Sequence, residues 1–116
     1  MQSIFEELGF LDAVVSSIQC RGSDVAVMFS ESESSVFQLQ FSGVVALQYH
    51  VLSPIADWSL SDESREIDRA RDFLTRAGMV APVEADRPLT QLTLLDERNL
   101  PMFLIVFRDC RLIADG

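Results

Sequence analysis

Apolar and polar residues alternate at every second position over much of the first half of the chain. The clearest stretch runs from Val36 to Ser42, where Phe37, Leu39 and Phe41 share one face and Gln38 and Gln40 the other. That pattern predicts a half-buried strand, with its aromatic and aliphatic face on a core and its amides in water. The same period predicts strands over residues 13–20 and 25–29, the second with Val25, Val27 and Phe29 on one face. Arg21-Gly22-Ser23-Asp24 would turn the chain between them, and the polar run Ser30–Ser35 would make a hairpin loop. Gly43 breaks the alternation and predicts a bulge or tight turn before a strand over 44–51. Four successive strands with short turns predict an antiparallel meander.

Helical spacing takes over after Ser53-Pro54. Asp57 and Trp58 read as an irregular loop, and Ser61 as the N-cap of a helix reaching Ala77, with Asp62 and Glu63 favoured in its first turn by the helix dipole. Ile67, Ala70, Phe73, Leu74 and Ala77 recur at the helical period and predict its buried stripe, with Gly78 as its stop. The other face alternates in charge, as at Asp72 and Arg76, and reads as a solvated surface. Pro82 and Pro88 bracket a linker, and residues 89–95 read as a strand. Met102–Phe107 is apolar on both faces, which places it centrally in a sheet; Arg108-Asp109 would turn the chain into a last strand over 110–114. Near the start, Ser3-x-x-Glu6 has the form of a capping box, and Gly9 would end the short helix it opens.

These elements predict an α+β fold: a mainly antiparallel sheet of about six strands packed with one amphipathic helix. At 116 residues the chain is one domain, 1–116, and its 48% hydrophobic and 23% charged residues are globular composition.

Charge narrows the functional classes. The net charge is −9, and residues 1–57 carry one Arg against seven acids, a balance of −6. Nucleic-acid and anionic-membrane partners are disfavoured, because both are held by basic side chains. Every basic residue is Arg, so neither a Schiff-base lysine nor a phosphate-loop lysine exists. The N-terminus lacks the basic and apolar regions of a signal peptide, and no apolar run approaches the ~20 residues of a membrane span. A cytoplasmic, bacterial setting is therefore expected. Cys20 and Cys110, with neither a CxxC spacing nor more than one His, offer no zinc ligand set and are expected to be reduced.

Catalytic motifs are scarce. There is no glycine-rich phosphate cradle and no nucleophile elbow, and no cofactor is implied. His50 is the only imidazole and shares strand parity with Ala46 and Gln48. An enzyme built on this sequence would pair it with one of the eighteen acids. A binding role has more support. Asp24, Glu31 and Glu33 sit in hairpin turns, and Asp57 stands beside Trp58, the only tryptophan. An aromatic anchor flanked by carboxylates suits a basic partner surface. Each residue also has a plain structural role open to it. Trp58 could cap the core at a sheet end, and acidic hairpins discourage edge-to-edge aggregation.

The segment Val36-Phe37-Gln38-Leu39-Gln40-Phe41-Ser42-Gly43-Val44-Val45 and the ending Phe103-Leu104-Ile105-Val106-Phe107-Arg108-Asp109-Cys110 resemble small bacterial α+β domains of the polymorphic-toxin immunity protein type. The resemblance lies in hydrophobic pattern, covers about a third of the chain, and transfers no site residue. It implies a single-domain protein that neutralises a partner by binding, and basic nuclease toxins would suit its acidity. The expectation is thus a non-enzymatic protein-binding domain, an immunity or inhibitor protein acting on a basic partner through Asp24, Glu31, Glu33, Asp57 and Trp58. Its rivals are a small-molecule or lipid carrier with a pocket lined by some of the eight Phe, and an enzyme using His50 and a carboxylate.

Overall fold

A computed structural model describes residues 12–32, 35–50, 53–76 and 88–115, with the backbone alone at 31, 32, 35, 74, 75, 114 and 115. Along the chain these form β1 (Val14–Arg21), β2 (Asp24–Ser32), β3 (Ser35–Ser42), β4 (Ala46–Tyr49), β5 (Asp57–Ser61), α1 (Arg65–Arg76), β6 (Thr90–Leu95), β7 (Pro101–Phe107) and β8 (Asp109–Asp115). The expected helix around Ser3–Gly9, the hairpin position Glu33 and the linker between Pro82 and Pro88 lie outside the described residues, apart from Pro88 itself.

The fold is α+β and its strand pairings are antiparallel. In place of one sheet of about six strands, the described residues form eight strands in two sheets, ordered β1-β2-β3-β8 and β4-β7-β6-β5. The meander holds for three strands only, because β4 leaves for the second sheet. Two bent connections cause this. The β3–β4 segment and the β7–β8 segment pass between the sheets side by side, joined by Arg108 N–H to Ser42 O at 3.0 Å and Val45 N–H to Val106 O at 2.9 Å. Gly43 makes its bend with φ +64°, a conformation L side chains rarely adopt. Elsewhere, Asp12 and Ala13 exchange backbone hydrogen bonds with Ile55 and link the start of β1 to the approach to β5. Hydrophobic alternation marks strands in a sequence but carries no record of which sheet each one joins.

The sheets pack face to face over a shared core. Val25, Val27, Phe29, Phe37, Leu39 and Phe41 from the first meet Leu92, Leu94, Phe103, Ile105 and Phe107 from the second. Phe29 stacks on Phe37 with ring centroids 4.9 Å apart, and Phe41 meets Phe107 edge to face at 4.8 Å. The strand phase expected for β3 is correct on its inner face. Its outer face is less open than expected, since Gln38 and Gln40 are half-buried between cross-strand neighbours Met28, Ala26 and Arg111. Strand β7 is internal in its sheet, as its two apolar faces require. One face enters the sandwich, and the other places Leu104 and Val106 with Ile67 of α1.

Helix α1 is shorter than expected. Ser64 caps it instead of Ser61, its Oγ accepting from Ile67 N–H at 3.0 Å and donating to Gln91 Oε1 at 2.6 Å. Gln91 in turn donates to Thr93 at 2.9 Å, so the cap is tied to β6. Ser61 closes β5, which was expected to be a loop. Its sequence Asp57-Trp58-Ser59-Leu60-Ser61 does alternate, and Trp58 and Leu60 pack against the core opposite Leu94 and Leu92. Of the expected helical stripe, the side chain of Leu74 and residue Ala77 lie outside the described residues, as does the expected stop Gly78, and the rest of it is only partly buried. Ile67 and Ala70 are covered, whereas Phe73 overhangs the edge strand β4 and is 64% exposed. Asp72 and Arg76 form the expected pair at 3.2 Å.

Candidate functional site

Of the five acidic and aromatic positions expected to meet a partner, Glu33 lies outside the described residues, and Asp24, Glu31, Asp57 and Trp58 do not form one patch. Asp24 opens β2 and lies at the β1–β2 turn, exposed, while Glu31 lies near the other end of the same strand. Seven residues of extended chain separate them, roughly 23 Å at about 3.3 Å per residue. Glu31 and Asp57 do lie toward the same end. Val14 pairs with Ser30, the residue before Glu31, and the Ala13–Ile55 hydrogen bond leads two residues on to Asp57. Trp58 takes the capping role open to it: half-buried, its ring covers the core from the edge of the second sheet.

Topology adds carboxylates that no local motif marks. Ala56 N–H donates to Leu95 O at 2.9 Å, which sets the β6–β7 turn beside the start of β5. That turn carries Asp96 and Glu97, so Asp12, Asp57, Asp96 and Glu97 converge on one end of the sandwich with the end of β2. Asp12 and Asp96 are far apart in sequence and reach the same end because β1 and β6 both flank the approach to β5. Asp57 Oδ1 accepts from Trp58 N–H at 2.8 Å. Asp96 Oδ1 accepts from Arg98 N–H at 2.9 Å and Leu100 N–H at 3.0 Å. The Leu100 amide does most to hold the Asp96 carboxyl below its ordinary value; partial burial opposes it, and the Arg98 amide, the Arg98 guanidinium and His50 add smaller lowering effects. Asn99 closes the turn with φ 63°.

His50 stands at the rim of this end. It lies just past β4, which stops at Tyr49 and not at the expected Val51. Its Nε2 is 2.7 Å from Pro101 O, a geometry in which Nε2 carries a proton and donates to the carbonyl. Beside it a groove of about 350 Å³ opens between α1 and the second sheet, with Met102 and Leu104 of β7 for its floor and Glu66 of α1 on its wall. A smaller groove continues it along the helix past Ala70 to Phe73. Glu66 was not expected to matter. The signal was its place on the helical stripe of Ala70 and Phe73, at spacings of four and seven.

The opposite end is built differently. There the side chain of Arg108 lies over Gly43, and Ser23 O accepts from Val44 N–H at 2.9 Å. No helix among the described residues is long and apolar enough to cross a membrane. Comparison with protein-family models, with curated proteins and with solved structures finds no match to this chain.

Proposed function

We propose that this chain is a cytoplasmic, non-enzymatic protein-binding domain whose specific task is to neutralise a basic partner, as an immunity or inhibitor protein does. The observation that carries the reading is the convergence of Asp12, Asp57, Asp96 and Glu97 at the end of the sandwich reached by Glu31. Among these, only Asp96 has an ion-pair partner within the described residues, Arg98 at 3.8 Å. The remaining charges sit at the start of β5 and in the turns beside it, where a field of one sign speeds the encounter with an oppositely charged protein.

The core weighs against the carrier reading. Five of the eight Phe are buried at 5% exposure or less, and four of them pair, one pair stacked and one edge to face, so these rings pack together inside the sandwich. The test is kinetic binding against the product of the neighbouring gene at two ionic strengths. A basic partner that binds with salt-sensitive association supports the reading. A lipid-like ligand that copurifies, with no protein partner recovered, replaces it with the carrier.

A further inference from the structure

We propose that the groove between α1 and the end of β4 is a subsite for a single arginine or lysine side chain of the basic partner. This rests on the reading of the chain as a receptor for a basic protein, and it names where that protein is anchored.

The argument begins with Glu66. It is half-buried in the first turn of α1 and makes no ion pair with any described residue. A carboxylate set beside apolar surface with no cation of its own favours a positively charged partner. The groove beside Glu66 has the shape and lining that a long cationic side chain uses. Met102 and Leu104 offer apolar surface to a methylene stem, and the carboxylate waits on the wall above them for the charged head. Tyr49 is 55% exposed at the end of β4 and adds an aromatic surface for a cation. His50, whose Nε2 donates to Pro101 O, offers Nδ1 as an acceptor when its ring is neutral.

The position of the groove fits the wider field. His50 is bonded to the residue that opens β7, and β7 follows the Asp96–Leu100 turn at the acidic end. A basic protein drawn to that end therefore meets the mouth of the groove. One residue opposes the arrangement. Arg69 lies one helical turn beyond Glu66, on the wall of the continuing groove, and lowers the attraction for a cation. Its removal should strengthen binding, a sign that an apolar groove alone would not produce.

The probe is the blocked tripeptide Gly-Arg-Gly, titrated into the whole protein and followed by the backbone amide resonances of Gln48, Tyr49 and Leu104. The same peptide with citrulline in place of arginine is the isosteric uncharged control. Saturable shifts with arginine and none with citrulline support the subsite, as do about tenfold weaker binding in Glu66→Gln and tighter binding in Arg69→Gln. Equal responses to both peptides, no saturable response, or an unchanged affinity in a folded Glu66→Gln variant overturn it. Failure here is separable from failure of the protein-binding reading. If Glu66→Gln binds the whole partner as the parent does while Asp57→Lys does not, the receptor stands and the subsite falls.

Discussion

Gly43 lies directly beneath Arg108: a Cβ placed at residue 43 would stand 2.9 Å from the Cδ and 3.0 Å from the Cβ of the arginine. This close approach lets the β3–β4 and β7–β8 segments cross between the sheets side by side. Gly43→Ala meets two obstacles, a left-handed φ of +64° and the stem of Arg108. Gly22 has almost the same φ, +62°, with nothing within 4 Å of an added Cβ. Urea unfolding should therefore show Gly22→Ala losing about 1 kcal/mol and Gly43→Ala clearly more, about 2–3 kcal/mol. Trimming the arginine in a Gly43→Ala/Arg108→Ala double variant should recover part of the difference. Equal losses at the two glycines would show that the corner tolerates a side chain.

Leu39 tests the core. It is fully buried at the centre of β3, between Val27 on β2 and Leu112 on β8. Leu39→Ala should cost about 2–5 kcal/mol in chemical denaturation. A loss below about 0.5 kcal/mol, as at surface sites, would mean the side chain does not enter the sandwich.

The same strand shows what a sequence discloses. The alternation of Phe37, Leu39 and Phe41 states a strand and its buried face, and both are found. The apolar run of β7 states a strand covered on two sides, and the second sheet with α1 supplies the covers. What the pattern lacks is partner identity. Nothing local to Val44–Tyr49 says that the chain has changed sheets, and nothing local to Asp12 or Asp96 says that they share an end. Trp58 was misplaced for a different reason: the short alternation of β5 lies between Pro54 and a helix, where loop signals outweigh five residues. The acidic half of the site was visible in Glu31 and Asp57. Its other members depend on pairings made across the whole chain.

Cys20 and Cys110 occupy one cross-strand row, Cys20–Val25–Phe41–Cys110, on the two edge strands of the first sheet. Three strand spacings set them about 14 Å apart, well beyond the reach of a disulfide. Their reactivities should differ sharply. Cys20 is exposed, whereas burial pushes the Cys110 thiol up to about 12. The thiolate is the reactive form, so iodoacetamide near neutral pH should modify Cys20 first and leave Cys110 until the protein is denatured. Mass spectrometry should count one adduct on the native protein and two after unfolding. An intramolecular bridge in freshly purified material would contradict this placement.

The Asp96 turn predicts an acid-side dependence of stability. Its carboxyl is held below the ordinary value of 3.8, chiefly by the Leu100 amide. A group whose folded value is depressed stabilises the fold fully above its unfolded value and loses that contribution as pH falls through the folded one. Asp96→Asn keeps an acceptor for the Arg98 and Leu100 amides but removes the charge. The thermal midpoint of the parent should exceed that of the variant by a constant amount above about pH 4 and converge on it below. A gap that persists unchanged in strong acid would show that the charge is not what the turn uses.

The division of the acids between two ends yields the sharpest test of the binding reading. Asp24 and Asp57 are both exposed, yet Asp24 sits at the β1–β2 turn and Asp57 at the end where the β6–β7 turn brings Asp96 and Glu97. A partner docking on the acidic end feels Asp57 at short range and Asp24 only through screened solvent, because charges further apart than about 8 Å are largely screened at physiological salt. Asp57→Lys, alone or with Glu31→Lys and Glu33→Lys, should slow association with the neighbouring gene product severalfold and flatten its salt dependence. Asp24→Lys should leave both close to the parent. Trp58→Ala belongs to neither class: its ring covers the core, so it should lower the unfolding midpoint as well as shorten any complex. Reversals at Asp24 and Asp57 that act equally would disperse the acidic end into a general effect of net charge and remove its claim to be the docking surface.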